Sequence, residues 1–143
     1  MTALAKVDLC EGTPQEIKAL AALRGLSTEG LLLAQERGLL RFGVHWNQPA
    51  WFITDGTRKV ISARRLDGEP WSGNRKSVML RGSQASWSVG IREAAGFPNI
   101  ALVEGGPDLL SAHHLFCFEE CARDWAAVAM LSASVSIPDD AWT

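Results

Sequence analysis

Two carboxylates four residues apart, Glu104 and Asp108, flank a Gly-Gly-Pro turn in Ile100-Ala101-Leu102-Val103-Glu104-Gly105-Gly106-Pro107-Asp108-Leu109-Leu110. Carboxylates gathered at one place suit a hard divalent cation such as Mg2+, or general acid/base work beside phosphate. Upstream, Arg58, Lys59, Arg64, Arg65, Arg75, Lys76 and Arg81 crowd a short stretch that holds few acids. Such a stripe can follow a phosphate backbone or hold a nucleoside triphosphate, and an ordinary solvated sheet face has the same composition. The turn Arg81-Gly82-Ser83-Gln84 adds backbone and side-chain donors that could grip phosphate, or is simply a Gly-Ser turn.

These groups have to be positioned by regular elements. The apolar run ahead of Glu104 reads as a buried strand, and Pro107 in the first turn opens a helix. Glu104 is thereby expected at the carboxyl end of a strand, the edge where ligands sit in open α/β sheets, with Asp108 in the first turn of the following helix. Trp125-Ala126-Ala127-Val128-Ala129-Met130-Leu131 is a second buried-strand candidate. The cations lie in a region of period-2 alternation that starts near Leu39, with Leu40, Phe42, Val44 and Trp46 on one face. Turn signals at Asn47-Gln48-Pro49, Asp55-Gly56-Thr57 and Asp67-Gly68 divide it into a three-stranded meander, and Ser77-Val78-Met79-Leu80 suggests a fourth strand. Arg64 and Arg65, adjacent in the third strand, must point to opposite faces, so at most one can share a cleft with Glu104 unless the strand bulges. Ile91 to Gly96 reads as a short helix.

The amino-terminal part is helical. Thr13-Pro14-Gln15-Glu16 is a capping box, and Ile17, Leu20, Ala21 and Leu23 give the helix an apolar face up to Gly25. Ser27 or Thr28 caps a second helix that runs to Gly38. The pair has a loose helix-turn-helix pattern, yet its second helix is apolar and acidic where base and phosphate contacts need Lys, Arg or Asn. A structural hairpin is the better reading.

Taken in order, Gly43-Val44-His45-Trp46, Ala50-Trp51-Phe52-Ile53-Thr54-Asp55, Ala63-Arg64-Arg65-Leu66-Asp67-Gly68, Leu80-Arg81-Gly82-Ser83-Gln84 and Glu104-Gly105-Gly106-Pro107-Asp108 resemble the Toprim-type DNA primases of phages and plasmids. The likeness takes in roughly residues 39 to 133. With the helical hairpin over 1–40 ahead of it, the expectation is an α/β chain whose amino-terminal part is α+β, and the likeness implies a primase-type subdomain over 41–98 and a truncated Toprim domain with a Rossmann-like sheet over 99–143. It also implies primer synthesis on a single-stranded DNA template from nucleoside triphosphates with Mg2+. In that scheme Glu104 is a general base or an outer metal participant supported by Asp108, while Arg64, Arg65, Lys76 and Arg81 hold phosphates. A helicase domain or chain is the expected partner. A complete Toprim domain also carries an Asp-x-Asp pair on a later strand, which this sequence lacks; Asp139-Asp140 behind Pro138 reads as a helix start. The expectation is therefore a fragment or shortened form, with weak Mg2+ affinity and no appreciable polymerase activity alone. The alternatives are a non-catalytic nucleic-acid-binding or interaction module of a replication protein, and a Toprim-type nuclease.

The remaining features bound these readings. The chain has 143 residues, 47% of them hydrophobic, enough to bury a core of its own. A net charge of -2 gives no global nucleic-acid signature, so the local cation stripe matters more than the sum. Three cysteines, no signal-peptide pattern and no membrane-length apolar run suggest the cytoplasm. His113, Cys117 and Cys121 recur every fourth residue, but the outer two lie about 12 Å apart on a straight helix, too far for one zinc. Among six tryptophans, Trp46, Trp51, Trp71 and Trp87 could stack on bases, although core or hinge packing is the commoner role at strand spacing.

Overall fold

The structure, a computed structural model, describes residues 7–132 and residue 137. Asp139 and Asp140 lie outside the described residues.

Helix α1 (Pro14–Arg24) starts on a reciprocal capping box in which Thr13 Oγ1 accepts from Glu16 N–H at 3.1 Å and Glu16 Oε1 accepts from Thr13 N–H at 2.9 Å. It stops at Gly25, whose φ of 66° is the left-handed conformation that glycine adopts without strain. Helix α2 (Thr28–Glu36) is capped by Ser27. Strands β1 (Leu40–His45), β2 (Gln48–Ile53), β3 (Ser62–Arg65) and β4 (Val78–Met79) form an antiparallel meander in the order β1-β2-β3-β4, with Phe42 opposite Trp51 and Trp51 opposite Arg64. Strand β6 (Asn99–Glu104), helix α3 (Gly106–Phe118) and strand β7 (Trp125–Met130) form a parallel β-α-β unit. A two-residue strand, β5 (Ser88–Val89), pairs antiparallel with β7, so the second sheet runs β5-β7-β6.

The largest core joins both halves: Ile17 and Leu20 of α1, Leu31 and Ala34 of α2, Phe42, Trp51 and Ile53 of the meander, and Leu109, Leu110 and Phe116 of α3. Helix α2 lies close on α3, since a Cβ at Gly30 would come within 2.6 Å of His114 Cα. Ser27 N–H donates to His114 Nδ1 at 3.0 Å beside that contact. The buried face of α2, with Leu31 and Ala34, is therefore packed on α3. The opposite face of the meander carries a second core of Ala50, Phe52, Ala63, Trp71 and Val78, with Val7 and Leu9 packed against it.

Three local expectations are corrected. Residues 91–96 form consecutive turns, not a helix; Ala94 N–H bonds Gly90 O, and Gly96 has φ 88°. The third strand is shorter than the stretch between the turns at Asp55-Gly56-Thr57 and Asp67-Gly68 suggests, because Lys59 O and Ile61 bond the Ser83–Gln84 turn. The first hairpin turns at Trp46-Asn47, with φ of 48° and 62°, so Trp46 leaves the strand and β2 begins at Gln48.

Candidate functional site: an acidic strand end beside a cationic cleft

Glu104 is the last residue of β6, exposed, and in register with Met130 at the end of β7. The two glycines behind it do different jobs. Gly105 has φ 83°, and its N–H donates to Met130 O at 3.2 Å, turning the chain out of the sheet. Gly106 opens α3 against β2, where a Cβ would come within 2.7 Å of Ile53 Cγ1. This packing seats the carboxyl end of the parallel strands on the meander. Asp108, exposed in the first turn of α3, is then close enough to act electrostatically on Arg64 of β3.

Arg64 borders a cleft of roughly 360 Å³ between the end of α1, the β2–β3 pair and the loop after β3; Arg24, Trp51, Arg65, Asn74 and Lys76 also line it. The Arg64 guanidinium lies 6.0 Å from the Trp51 ring centroid. Burial holds its pKa below the usual arginine value, the like charge of Arg24 acts in the same direction, and Asp108 opposes both. No hydrogen-bond acceptor faces Arg64 among the described residues. A partly desolvated guanidinium with its donors unengaged is set for a planar anion such as phosphate or carboxylate.

Arg65 lines the same cleft but is engaged. Its Nε donates to Asp67 Oδ1 at 3.0 Å and its terminal nitrogen pairs with Oδ2, which raises its pKa and lowers that of Asp67. Lys76 is exposed on the loop. Arg81 is exposed on the turn after β4 and is not among the residues lining the cleft. Within that turn Ser83 Oγ accepts from Ile61 N–H at 3.1 Å, and Gln84 N–H donates to Lys59 O at 2.7 Å. The Arg-Gly-Ser-Gln segment thus clasps the meander, using donors that sequence reading left available for phosphate. The structure brings together Arg64, Arg65 and Lys76, sets Asp108 beside Arg64 with Glu104 at the adjoining strand end, and leaves Arg81 apart.

Two groups escaped the sequence reading. Arg24 enters the cleft from the last turn of α1, and nothing local to it marks it as a site residue. Asp55, 1% exposed, ties the loop after β2 to the segment around β5. Its Oδ1 accepts from the Thr57 amide at 2.9 Å and hydroxyl at 2.6 Å, and its Oδ2 from Trp87 Nε1 at 2.7 Å and Gly90 N–H at 2.9 Å. Lys59 Nζ and the Arg92 guanidinium lie 4.0 and 5.8 Å from the Trp87 ring centroid, and Arg58 feels the Asp55 charge. The Asp-Gly-Thr sequence marked a turn; its role as an anchor needed Trp87 and Gly90, more than thirty residues away.

The four-residue His/Cys spacing makes no metal centre. Among the described residues no group of three or more His, Cys, Asp or Glu side chains could hold a metal ion. His113 faces the core with its Nδ1 2.7 Å from Leu109 O, and Cys121 lies beyond the end of α3. No helix among them is long and apolar enough to cross a membrane.

No protein-family model matches the chain. It is 29% identical over 133 residues to the DNA replication and repair protein RecF of Thioalkalivibrio sulfidiphilus, a match covering 80% of this chain and 36% of that protein. Among solved structures it superposes on the primase fragment of the bacteriophage T7 primase-helicase protein, with a TM-score of 0.51 and 19% identity, over 90% of this chain and 50% of the fragment. The chain has a primase-type, Toprim-like α/β fold. It spans about a third of the RecF relative and half of the primase fragment. The resemblance read from the sequence therefore holds at the level of the fold.

Proposed function

We propose that the chain is part of a primase-type nucleotidyltransferase that makes RNA primers on single-stranded DNA, with a helical hairpin over 1–40, a primase subdomain over 41–98 and a partial Toprim unit over 99–143. The observation that carries this reading is the unengaged, half-buried Arg64 in a cleft with Arg24 and Lys76, next to the strand end that bears Glu104. Arg64 and Arg24 neutralise and orient phosphates of template or nucleotide, Lys76 adds an exposed charge to the lining, and Arg65, braced by Asp67, shapes the wall. Phosphoryl transfer asks mainly for positioning and charge neutralisation, which this arrangement can supply. Glu104, exposed at the strand end, can accept a proton or join a metal's outer sphere, and Asp108 shares its charge between that edge and Arg64. The two carboxylates have the hard oxygen donors that Mg2+ takes one or two at a time together with phosphates and water. Bound there, the ion would offset charge on the transferring phosphoryl group.

Fluorescence anisotropy with a labelled single-stranded oligonucleotide tests the reading. Binding is expected to fall steeply with salt, and Arg64→Ala should weaken it and reduce the salt slope by about one. Adding Mg2+ to the wild type should strengthen nucleoside triphosphate binding, and Glu104→Gln should abolish that gain. Binding without a salt dependence, or an Arg64→Ala variant identical to the wild type, would reject the cleft as the phosphate site.

The non-catalytic module has one observation in its favour: the cation cleft is assembled, whereas the acidic edge offers two carboxylates among the described residues. On that reading DNA binds as above, but Glu104→Gln changes nothing with or without Mg2+.

A further inference from the structure

Trp46 is 54% exposed although it belongs to an aromatic cluster. Its ring stacks on His45 with centroids 4.6 Å apart and meets Trp71 edge-on at 5.6 Å, and the Arg75 guanidinium lies 5.7 Å from its centroid. Trp71 is itself fixed, 3% exposed with its Nε1 donating to Ala63 O at 3.0 Å. The platform is therefore held from behind by a buried ring. Its backbone is unusual as well. Both Trp46 and Asn47 have positive φ, the geometry of a two-residue hairpin turn that normally takes Asn-Gly or Asp-Gly, and a bulky side chain at the first position is an outlier. Hydrophobic burial does not explain the residue, since more than half of it stays in water.

Its location supplies the reason. Leu66 N–H bonds Pro49 O at 3.0 Å, so the hairpin tip and the carboxyl end of β3 lie at one end of the meander. The loop leaving β3 carries Trp71 and Arg75 of the cluster, and the same loop gives Asn74 and Lys76 to the cleft. We propose that Trp46 is a stacking platform for one nucleobase of a single strand whose phosphates run along the Arg24/Arg64/Lys76 cleft. Every base has a π-face, so such a platform adds affinity with little sequence preference, and the neighbouring cations fit the backbone that carries the base. The occupant that fits is a nucleic acid strand, because the exposed ring has the Arg75 guanidinium over it and is backed by the same loop that gives Asn74 and Lys76 to the cleft. This inference rests on the cleft being the phosphate site.

The test uses the whole chain, a fluorescein-labelled oligo(dT), and a matching strand of abasic residues that keeps the phosphates but has no bases. Trp46→Asn is the informative variant, since Asn tolerates positive φ and preserves the turn. It should weaken oligo(dT) binding about tenfold, leave the salt slope unchanged, and leave abasic-strand binding as in the wild type. Trp46→Phe should recover most of the loss. Arg64→Ala should weaken both strands. Oligo(dT) affinity unchanged in Trp46→Asn, while the wild type still binds, would overturn the platform alone. An equal loss on the abasic strand would overturn it too, as would self-association removed by Trp46→Asn with DNA binding intact, which would assign the ring to a second copy. A wild-type chain that binds neither strand would remove the cleft and the platform together.

Discussion

Asp55 shows how much one carboxylate can organise when its oxygens are fully used. Removed from water, its two oxygens are satisfied by the amide, hydroxyl and indole donors that converge on them, and Arg58 lies near enough to feel its charge. Asp55→Asn replaces one acceptor oxygen by an NH2 group that must face a donor. The variant should lose about 3 kcal/mol of stability, measured by urea unfolding, as expected for breaking charge-assisted bonds in a buried site. Arg64 is the opposite case. It is partly buried with no acceptor facing it, so removing it costs the fold little; its expected effect is on anion binding. A stability loss confined to Asp55→Asn, with a binding loss confined to Arg64→Ala, would separate the structural anchor from the binding cation.

At the scale of elements, α3 is the hinge of the design, since α2, β7 and the meander all pack on it. Two expectations follow from its contacts. Gly30→Ala improves intrinsic helix propensity by about 1 kcal/mol, yet its new Cβ would strike the His114 backbone, which cannot rotate away. Net destabilisation of about 1–2 kcal/mol is expected, read as a lower thermal midpoint. The second concerns His113, whose 0% exposure presses its pKa down from 6.5 to about 4. The folded state thus disfavours the imidazolium that the unfolded chain accepts. Its contribution is complete above pH 6.5 and is lost as pH falls from there towards 4, by up to about 3 kcal/mol. The difference in unfolding free energy between wild type and His113→Met should shrink over that window and stay flat above it; a flat difference throughout would show that His113 is protonated without penalty.

For the whole molecule, the meander and the parallel unit are joined by shared core and by the close seating of Gly106 on Ile53, which places an acidic strand end and a cation cleft on neighbouring surfaces. Strand β6 is at an edge of its sheet among the described residues, with Leu102 48% exposed. An unpaired parallel edge of this kind is a natural place for a further strand. With two carboxylates at that edge, isothermal titration should detect no saturable Mg2+ binding to the chain below about 1 mM, because hard-cation sites of high affinity use more charged ligands.

What the sequence determined was local. The capping box of Thr13 and Glu16, the left-handed Gly25, the alternation from Leu40 and the strand-turn-helix around Glu104 each concern neighbours along the chain, where spacing alone decides which groups meet. The alternation of Arg64 and Arg65 along β3 was legible for the same reason, yet both side chains reach one cleft, Arg64 beside Trp51 and Arg65 tied to Asp67. Tertiary structure decided the rest. It brought Arg24 across from a helix forty residues upstream of Arg64, paired the two residues of β5 with β7, spent Ser83 on the meander, and moved Trp46 from a strand face to a strained turn supported by Trp71. Those outcomes depend on which surfaces exclude water together and which polar groups then need partners, and neither is set by any short stretch of sequence.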